Sequence, residues 1–127
     1  MIKREIISSK KVASSPSPLS QGIKVGNFIF LSGQIGRNPD TEELEKGFID
    51  QARRVLQNIK ELLNTVNSSM DRVIKVTIFL KDMNNFKDLD VIYKEFFAEP
   101  FPCQTAVEIS ALARGAKIEI DIISICD

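Results

Sequence analysis

The spacing of apolar residues changes period several times along this 127-residue chain, and these changes restrict the fold more than any other feature. From Gly47 to about Val66 the apolar residues recur every three or four positions, which predicts an amphipathic helix. A second stripe at helical spacing, from Phe86 to Phe97, predicts another helix, which Pro100 and Pro102 stop. Strands are predicted before, between and after these helices, over Ile2–Ser8, Asn27–Gln34, Arg72–Leu80, Thr105–Ile109 and Lys117–Ile125.

The predicted order of elements is β-β-α-β-α-β-β, which defines an α+β fold. Because helices interleave with strands, the sheet must be mixed, with the helices packed on one face. Residues 1–127 are expected to form a single domain, since a chain of this length suits one core. The run Phe28–Leu31 is apolar throughout, which predicts a strand covered on both sides.

The final predicted strand has two different faces. Alternation along a strand sends successive side chains to opposite sides of the sheet. One side of Lys117–Ile125 carries only isoleucines, whereas the other mixes charged residues with isoleucines, namely Lys117, Glu119, Asp121, Ile123 and Ile125. Such a partly wet face often meets a neighbouring subunit.

Two connecting segments have their own signals. The stretch Ser14–Gly22 is rich in serine and proline and cannot be a regular helix, because Pro16 and Pro18 each lack an N–H. It is interpreted either as an extended, ordered loop or as a linker. Before the second helix, Asp82–Asn85 supplies capping side chains, and Asn85 and Asp88 have the spacing of a capping box.

Composition excludes several function classes. The 17 basic and 17 acidic residues cancel, which argues against a surface for DNA or RNA. The chain has no histidine, the commonest general base and metal ligand, so no metal site is predicted. Its two cysteines are interpreted as free thiols, which suits a cytoplasmic protein. No apolar run approaches the ~18 residues of a membrane span, and the N-terminus lacks the apolar core of a signal peptide.

Six segments in the same order resemble the RidA family, also called the YjgF or UK114 family. The resemblance extends from about Pro16 to Ile125, nearly the whole chain. The segments that carry it are SPLSQGI (Ser17–Ile23), LSGQIG (Leu31–Gly36), VIKVTIFLKDMNNF (Val73–Phe86), IYKEFF (Ile92–Phe97), FPCQTAVEIS (Phe101–Ser110) and ALARGAKIEID (Ala111–Asp121).

The resemblance implies a chorismate-mutase-like fold that assembles as a homotrimer. Three sheets would close into a central barrel with the helices outside, leaving three ligand clefts between subunits. The implied activity is hydrolysis of reactive 2-imino or enamine metabolites to 2-oxo acids and ammonia, without a cofactor. The implied ligand is therefore a small imino or oxo acid.

The same resemblance identifies three departures at chemical positions. The family motif Pro-x-Arg-Ser/Thr, whose arginine binds the substrate carboxylate, matches Pro102–Thr105, so Gln104 replaces the arginine. Leu19 replaces a tyrosine that lines the cleft. Asp121 matches the glutamate that orients water and is one methylene shorter. Loss of a charged fork in a desolvated cleft costs about 2–5 kcal/mol.

The remaining candidates follow from matched motifs. Asp121 and Ser32 are the predicted catalytic residues. Arg37, which follows the Ser-Gly-Gln turn, is an additional candidate for the missing cation, whereas Arg114 is interpreted as a structural loop residue near the trimer interface. The predicted substrate-binding residues are Leu19, Gly33, Gln34, Asn84, Phe86, Cys103 and Gln104, with Arg37 added.

Three functions stay open from the sequence. The first is an imine deaminase, with altered substrate choice or with lost activity. The second is a non-catalytic trimer that binds a small metabolite and acts in regulation, which the three departures favour because they spare the fold. The third and most remote is a ribonuclease or translation inhibitor, which the neutral charge and the lack of histidine oppose.

Overall fold

The computed structural model describes residues 2–126 and contains one mixed sheet with two helices on one face. The helices are α1 (Phe48–Asn64) and α2 (Phe86–Phe96). The strands are β1 (Arg4–Ile7), β2 (Gly22–Val25), β3 (Phe28–Leu31), β4 (Gln34–Ile35), β5 (Val73–Leu80), β6 (Cys103–Glu108) and β7 (Ile118–Ile125). No helix within the described residues is long and apolar enough to cross a membrane.

The sheet has the order β1-β2-β3-β7-β5-β6, with β4 also paired to β7. All pairs are antiparallel except β5 and β6, which run parallel because α2 carries the chain from one to the other. The mixed sheet and the α+β class are therefore confirmed. The strand β7, although last in the chain, lies at the centre of the sheet.

The core lies between the helices and one face of the sheet. The inward stripe of α1 is fully excluded from solvent, and so are alternate residues of β5 and β7. Burial of each large aliphatic side chain contributes about 1.5–3 kcal/mol, so this layer holds the fold together. Its fully buried members include Leu56, Ile59, Leu62, Leu63, Ile78, Leu80, Ile118 and Ile120.

The other face of the sheet carries no helix. Phe28 and Phe30 are 49% and 45% exposed there, whereas their neighbours Ile29 and Leu31 are buried against the helices. The predicted cover on both sides of β3 is therefore wrong for the single chain, because α1 and α2 both pack on the same side. We call the uncovered side the open face.

The strand β2 is missing from the sequence prediction. It pairs antiparallel with β1 and β3, yet it has only four residues and directly follows the serine- and proline-rich stretch. An alternation this short is too weak to detect. Its first residue is Gly22, and a side chain does not fit there, because an added Cβ would lie 2.5 Å from a methyl carbon of Leu31.

A β-bulge divides the predicted strand Asn27–Gln34 into β3 and β4. Phe30 is opposite Ile123 and Gln34 is opposite Ile120, so four steps on one strand match three steps on β7. One extra residue is thus accommodated at Ser32–Gly33, which bends the chain away from β7.

The structure also tests the predicted cap of the second helix and the predicted state of the two cysteines. The cap of the second helix differs from the predicted box: Asn85 makes no side-chain cap, and Asp82 accepts the backbone N–H of Asn84 at 2.9 Å, one turn earlier. A short 3₁₀ turn, Met83–Asn85, precedes α2 and takes the place of the box. Both cysteines are free, with Cys103 exposed and Cys126 buried.

Candidate active site

A cavity of about 370 Å³ opens where the bulge meets the loop before β2. Most of its wall comes from three parts of the chain: this loop, the bulge with β4 and the residues that follow it, and the turn that leads into β7. Asn58 of α1 and Glu119 of β7 complete the wall. The lining residues are Ala13, Ser15, Ser17, Leu19, Gln21, Ser32, Gly33, Gln34, Ile35, Arg37, Asn58, Ala113, Arg114 and Glu119.

The cavity brings together half of the predicted site. Leu19, Ser32, Gly33, Gln34 and Arg37 all line it. The other half lies elsewhere in the chain: Asn84 and Phe86 are at the start of α2, Cys103 and Gln104 are on β6, and Asp121 is in the middle of β7. A single chain therefore presents two separate groups of candidate residues.

Hydrogen bonds hold the loop before β2 in place. The Ser32 hydroxyl donates to the Ser20 carbonyl at 2.6 Å, and the Ser32 N–H donates to the Gln21 carbonyl at 2.9 Å. The Gln21 side-chain oxygen accepts the Ser9 N–H at 2.7 Å. The Ser14–Gly22 stretch is therefore an ordered loop and not a linker. The Ser32 hydroxyl is occupied as a donor to the backbone.

Glu119 is the carboxylate of the cavity, and the sequence analysis did not select it. It is opposite Ile35 on β4, and its side chain packs against Gly33, where an added Cβ would lie 2.8 Å from the carboxyl carbon. Burial raises the pKa of Glu119, and the nearby charge of Asp121 raises it further. A carboxylate with a raised pKa is a stronger proton acceptor than a solvated one.

Asp121 lies on the same face two residues later but does not line this cavity. It is opposite Thr77 on β5. Burial raises the pKa of Asp121, while a hydrogen bond from Thr77 and the charge of Lys75 lower it in part. The Lys75 amine donates to the Thr105 hydroxyl at 2.6 Å, so Asp121 belongs to a polar cluster at the middle of the open face.

The signal that separates these two carboxylates is the strand register. Alternation in the sequence places Glu119 and Asp121 on one face without ranking them. The short pairing of β4 with β7 stops at Glu119 and Ile120, so only Glu119 is next to the bulge. The position of a bulge depends on tertiary pairing, which the sequence pattern alone does not give.

Arg37 reaches the cavity wall, but much of its side chain is already bound. It is only 8% exposed. Its Nε donates to the Glu42 carbonyl at 2.9 Å, and its Nη1 donates to the Ser14 carbonyl at 2.7 Å. Arg37 therefore braces two loops while it brings a positive charge to the wall.

Arg114 also lines the cavity, from the turn before β7. It is exposed, and its backbone is left-handed with φ 59°, followed by Gly115 with φ 72°. A non-glycine residue in this conformation costs about 1–3 kcal/mol. Within residues 2–126 its guanidinium has neither an ion pair nor a hydrogen bond.

Asn58 forms part of the cavity wall from α1. It is 1% exposed, and its Nδ2 donates to the Arg37 carbonyl at 3.2 Å. This bond fixes the orientation of the amide, so the free atom is the oxygen. Its Oδ1 has no partner among the described residues.

Apart from Asp121, the second group of candidates is at the far edge of the sheet, on and around β6. Gln104 is exposed there and is the polar neighbour of Tyr93 on α2: burial raises the pKa of the Tyr93 hydroxyl, and Gln104 lowers it in part. Glu108 accepts the backbone N–H of Met83 at 2.8 Å, which ties β6 to the turn before α2. Between β6 and β7 lies β5, so the β6 group is two strand positions away from the strand that carries Glu119.

No cluster of three or more acidic or cysteine side chains suited to a metal ion occurs in the described part of the chain. The available chemistry is therefore that of a desolvated carboxyl, arginines, amides and backbone groups. Together, the fold and this cavity define an α+β protein with a small polar cleft at the edge of a β-bulge.

Comparison with known proteins assigns the family. The model of the family described as Endoribonuclease L-PSP matches residues 10–126. The chain belongs to this family, the RidA family, as the sequence resemblance predicted.

Similar proteins include one named for an activity and one named only for its family. The human 2-iminobutanoate/2-iminopropanoate deaminase is 35% identical over 123 residues, covering 96% of this chain and 90% of that protein. A RutC family protein of Pyrococcus horikoshii is 45% identical over 122 residues, covering 95% of this chain and 97% of that protein.

Solved structures agree with the fold. RidA from the Antarctic bacterium Psychrobacter sp. PAMC 21119 has a TM-score of 0.93 at 35% identity, covering 95% of this chain and 98% of that one. The E. coli protein TdcF with bound serine has a TM-score of 0.92 at 32% identity, covering 97% and 99%.

Proposed function

We propose that this protein hydrolyses small reactive 2-imino acids, or their enamine tautomers, to 2-oxo acids and ammonia. The observation that carries the proposal is the position of Glu119, a partly desolvated carboxyl packed on Gly33 inside a polar cavity. Relatives that bear the deaminase name support this reaction class. A cytoplasmic location stays a prediction, supported by the two free cysteines.

In the proposed reaction, water adds to the carbon of the C=N bond. The Glu119 carboxylate accepts a proton from this water as the C–O bond forms and the π electrons move to nitrogen. The carboxyl then returns this proton to nitrogen, which gives a carbinolamine with C–OH and C–NH2 groups. In a second transfer the carboxylate accepts the hydroxyl proton and passes it to the amino nitrogen, the C–N bond breaks, and ammonia leaves as the C=O bond forms. A carboxyl with a raised pKa suits both steps because it can hold and release the proton.

We propose that the working form is a homotrimer with clefts between subunits. Two features of the single chain support this. The open face exposes Phe28 and Phe30, an apolar surface that a second copy would cover. The candidates on β6 do not line the cavity of their own chain, so the β6 group of one copy would complete the cavity of the next.

The departures at Gln104 and Leu19 support an altered substrate range. Gln104 presents a neutral amide where active relatives are expected to have an arginine fork, which weakens any carboxylate contact made from β6. Leu19, 52% exposed at the cavity, gives an apolar wall without a hydroxyl. The Leu19 wall favours a substrate with an apolar side chain.

The test is a coupled assay in which an amino-acid oxidase generates 2-imino acids in situ. The protein is expected to accelerate release of ammonia and oxo acid, and Glu119→Gln is expected to reduce the rate by about 10²–10⁴-fold. Glu43→Gln, an exposed loop substitution, is the matched control. Full activity in Glu119→Gln would contradict the proposed role of Glu119.

The second candidate is a non-catalytic metabolite-binding trimer, which the neutral Gln104 favours. Here the protein binds small oxo or amino acids but does not accelerate imine hydrolysis. Running Gln104→Arg beside the wild type separates the two functions. Activity gained only in Gln104→Arg would identify the natural protein as a binding module, whereas activity of the wild type would exclude this candidate.

A further inference from the structure

The cavity wall has more positively charged than negatively charged side chains. Arg37 and Arg114 both line the cavity, while Glu119 is its single carboxylate. Neither arginine has a carboxylate within ion-pair distance in the described part of the chain. The protein therefore supplies more positive than negative charge to this space, which suits an anionic ligand.

Only one of these arginines is free to bind such a ligand through its guanidinium fork. Arg37 is buried and held by the Ser14 and Glu42 carbonyls. Arg114 is exposed and has a strained left-handed backbone beside Gly115, and its guanidinium has no ion pair or hydrogen bond among residues 2–126. Such strain persists where surrounding structure and function require it, and a glycine would adopt this backbone without it.

An independent observation indicates that the cavity is built for a polar ligand. Asn58 lines the cavity and is 1% exposed, and its buried Oδ1 atom has no hydrogen-bond partner among residues 2–126. A buried acceptor without a hydrogen bond is destabilising, so a ligand N–H or a water has a strong site there. The cavity thus offers a fork for an anion and an acceptor for an N–H group.

We propose that Arg114 is the carboxylate clamp of this protein and replaces the arginine absent at position 104. The ligand class is a small acid that carries its carboxylate next to a nitrogen or carbonyl group. The carboxylate binds the Arg114 guanidinium, and an N–H of an imino or amino acid points to Asn58. This inference rests on the proposed function for its substrate, but its test does not need turnover.

The test is binding, measured by calorimetry or NMR titration. The probes are 2-oxobutanoate and its neutral counterpart, 2-oxobutanamide. Wild type is expected to bind the acid more tightly than the amide. Arg114→Gln is expected to weaken binding of the acid by about ten- to a hundredfold and to leave the amide within about twofold. Arg114→Lys keeps the charge without the fork and is expected to fall between them.

Two further variants keep the result interpretable. Lys117→Gln removes a nearby exposed positive charge that does not line the cavity, and it is expected to leave binding unchanged. Arg114→Gly suits the left-handed backbone, so it tests loss of the guanidinium without added strain. It is expected to weaken binding of the acid as much as Arg114→Gln does.

Several outcomes overturn the inference: equal binding of the acid by wild type and Arg114→Gln, no preference of wild type for the acid over the amide, or no binding by wild type. The proposed function fails separately. Wild type that binds the acid through Arg114 without accelerating imine hydrolysis keeps the clamp and removes the reaction. Turnover that depends on Glu119, with KM unchanged in Arg114→Gln, keeps the reaction and removes the clamp.

Discussion

The helix-covered face and the open face of β7 come from the same eight residues, yet they differ in composition and solvent access. Ile118, Ile120 and Ile122 are buried under the helices. Glu119, Asp121 and Ile123 alternate with them on the open face and are partly accessible.

The two faces of β7 serve different purposes. The helix-covered face contains the packing that the single chain completes for itself, because α1 and α2 supply all the apolar surface that it needs. The open face combines carboxylates with exposed aromatic residues, a combination that a finished core would not tolerate without partners. The comparison indicates that the first face determines folding and that the second serves the site and assembly.

The largest expected effect is on the helix-covered face. Ile120→Ala is expected to lower the free energy of unfolding by about 2–5 kcal/mol, because it leaves a cavity in a close-packed core. Ile123→Ala is the matched change on the open face. It is expected to lower the free energy of unfolding of the single chain by less than Ile120→Ala does, and to weaken self-association. Urea unfolding and light scattering at two protein concentrations measure both. Equal losses without a change in association would contradict the division between the faces.

A smaller effect is expected at the bulge. Gly33→Ala places a Cβ against the Glu119 carboxyl group and is expected to cost about 1–3 kcal/mol of stability by overpacking. Because the clash involves this side chain, Glu119→Ala in the same chain is expected to recover most of the loss. The double-mutant cycle is measured by urea unfolding. Additive losses would show that the strain arises elsewhere.

Ser32→Ala tests how the loop before β2 is held. It removes the 2.6 Å hydrogen bond to the Ser20 carbonyl and is expected to cost about 0.5–1.5 kcal/mol. If the hydroxyl only positions the loop, KM of the coupled assay is expected to rise while kcat changes little. A fall in kcat as large as that of Glu119→Gln would instead give Ser32 the catalytic role predicted from the sequence.

The smallest expected effect is a pH dependence confined to the open face. The pKa values of Glu119 and Asp121 are raised in the folded protein, so their ionisation opposes folding. In their protonated form the two carboxyls contribute fully to the free energy of unfolding below the unfolded carboxyl pKa of about 4. This contribution is lost as pH rises through their folded pKa values. Glu119→Gln is expected to reduce this loss, measured by urea unfolding from acid to neutral pH. A slope as steep as that of wild type would contradict the desolvation of Glu119.

The sequence predicted the parts of the fold that depend on long periodic segments. The α1 and α2 stripes, β5 and β7 all lie where their spacing placed them. Short or irregular elements were missed because they have no long periodic pattern. The strand β2 has only four residues, and the β-bulge depends on pairing with β7, about ninety residues later.

The candidate site shows the same limit. The Ser-Gly-Gln turn and Leu19 were found through motif resemblance and do meet at one cavity. Glu119 was missed because choosing it over Asp121 required the register of β4. The free guanidinium of Arg114 was missed because a loop arginine has no pattern of its own; only the positions of its neighbours distinguish it from Arg37.

The extra residue at Ser32–Gly33 determines what a deletion at this point would do to the sheet and to the site. Without Gly33, Gln34 would still be opposite Ile120, and the pairing of β3 with β7 would continue unbroken into β4. Such a deletion would give a more regular sheet with every other residue in its present place. The turn beside Glu119 would disappear, however, so a change that simplifies the architecture would remove the chemistry.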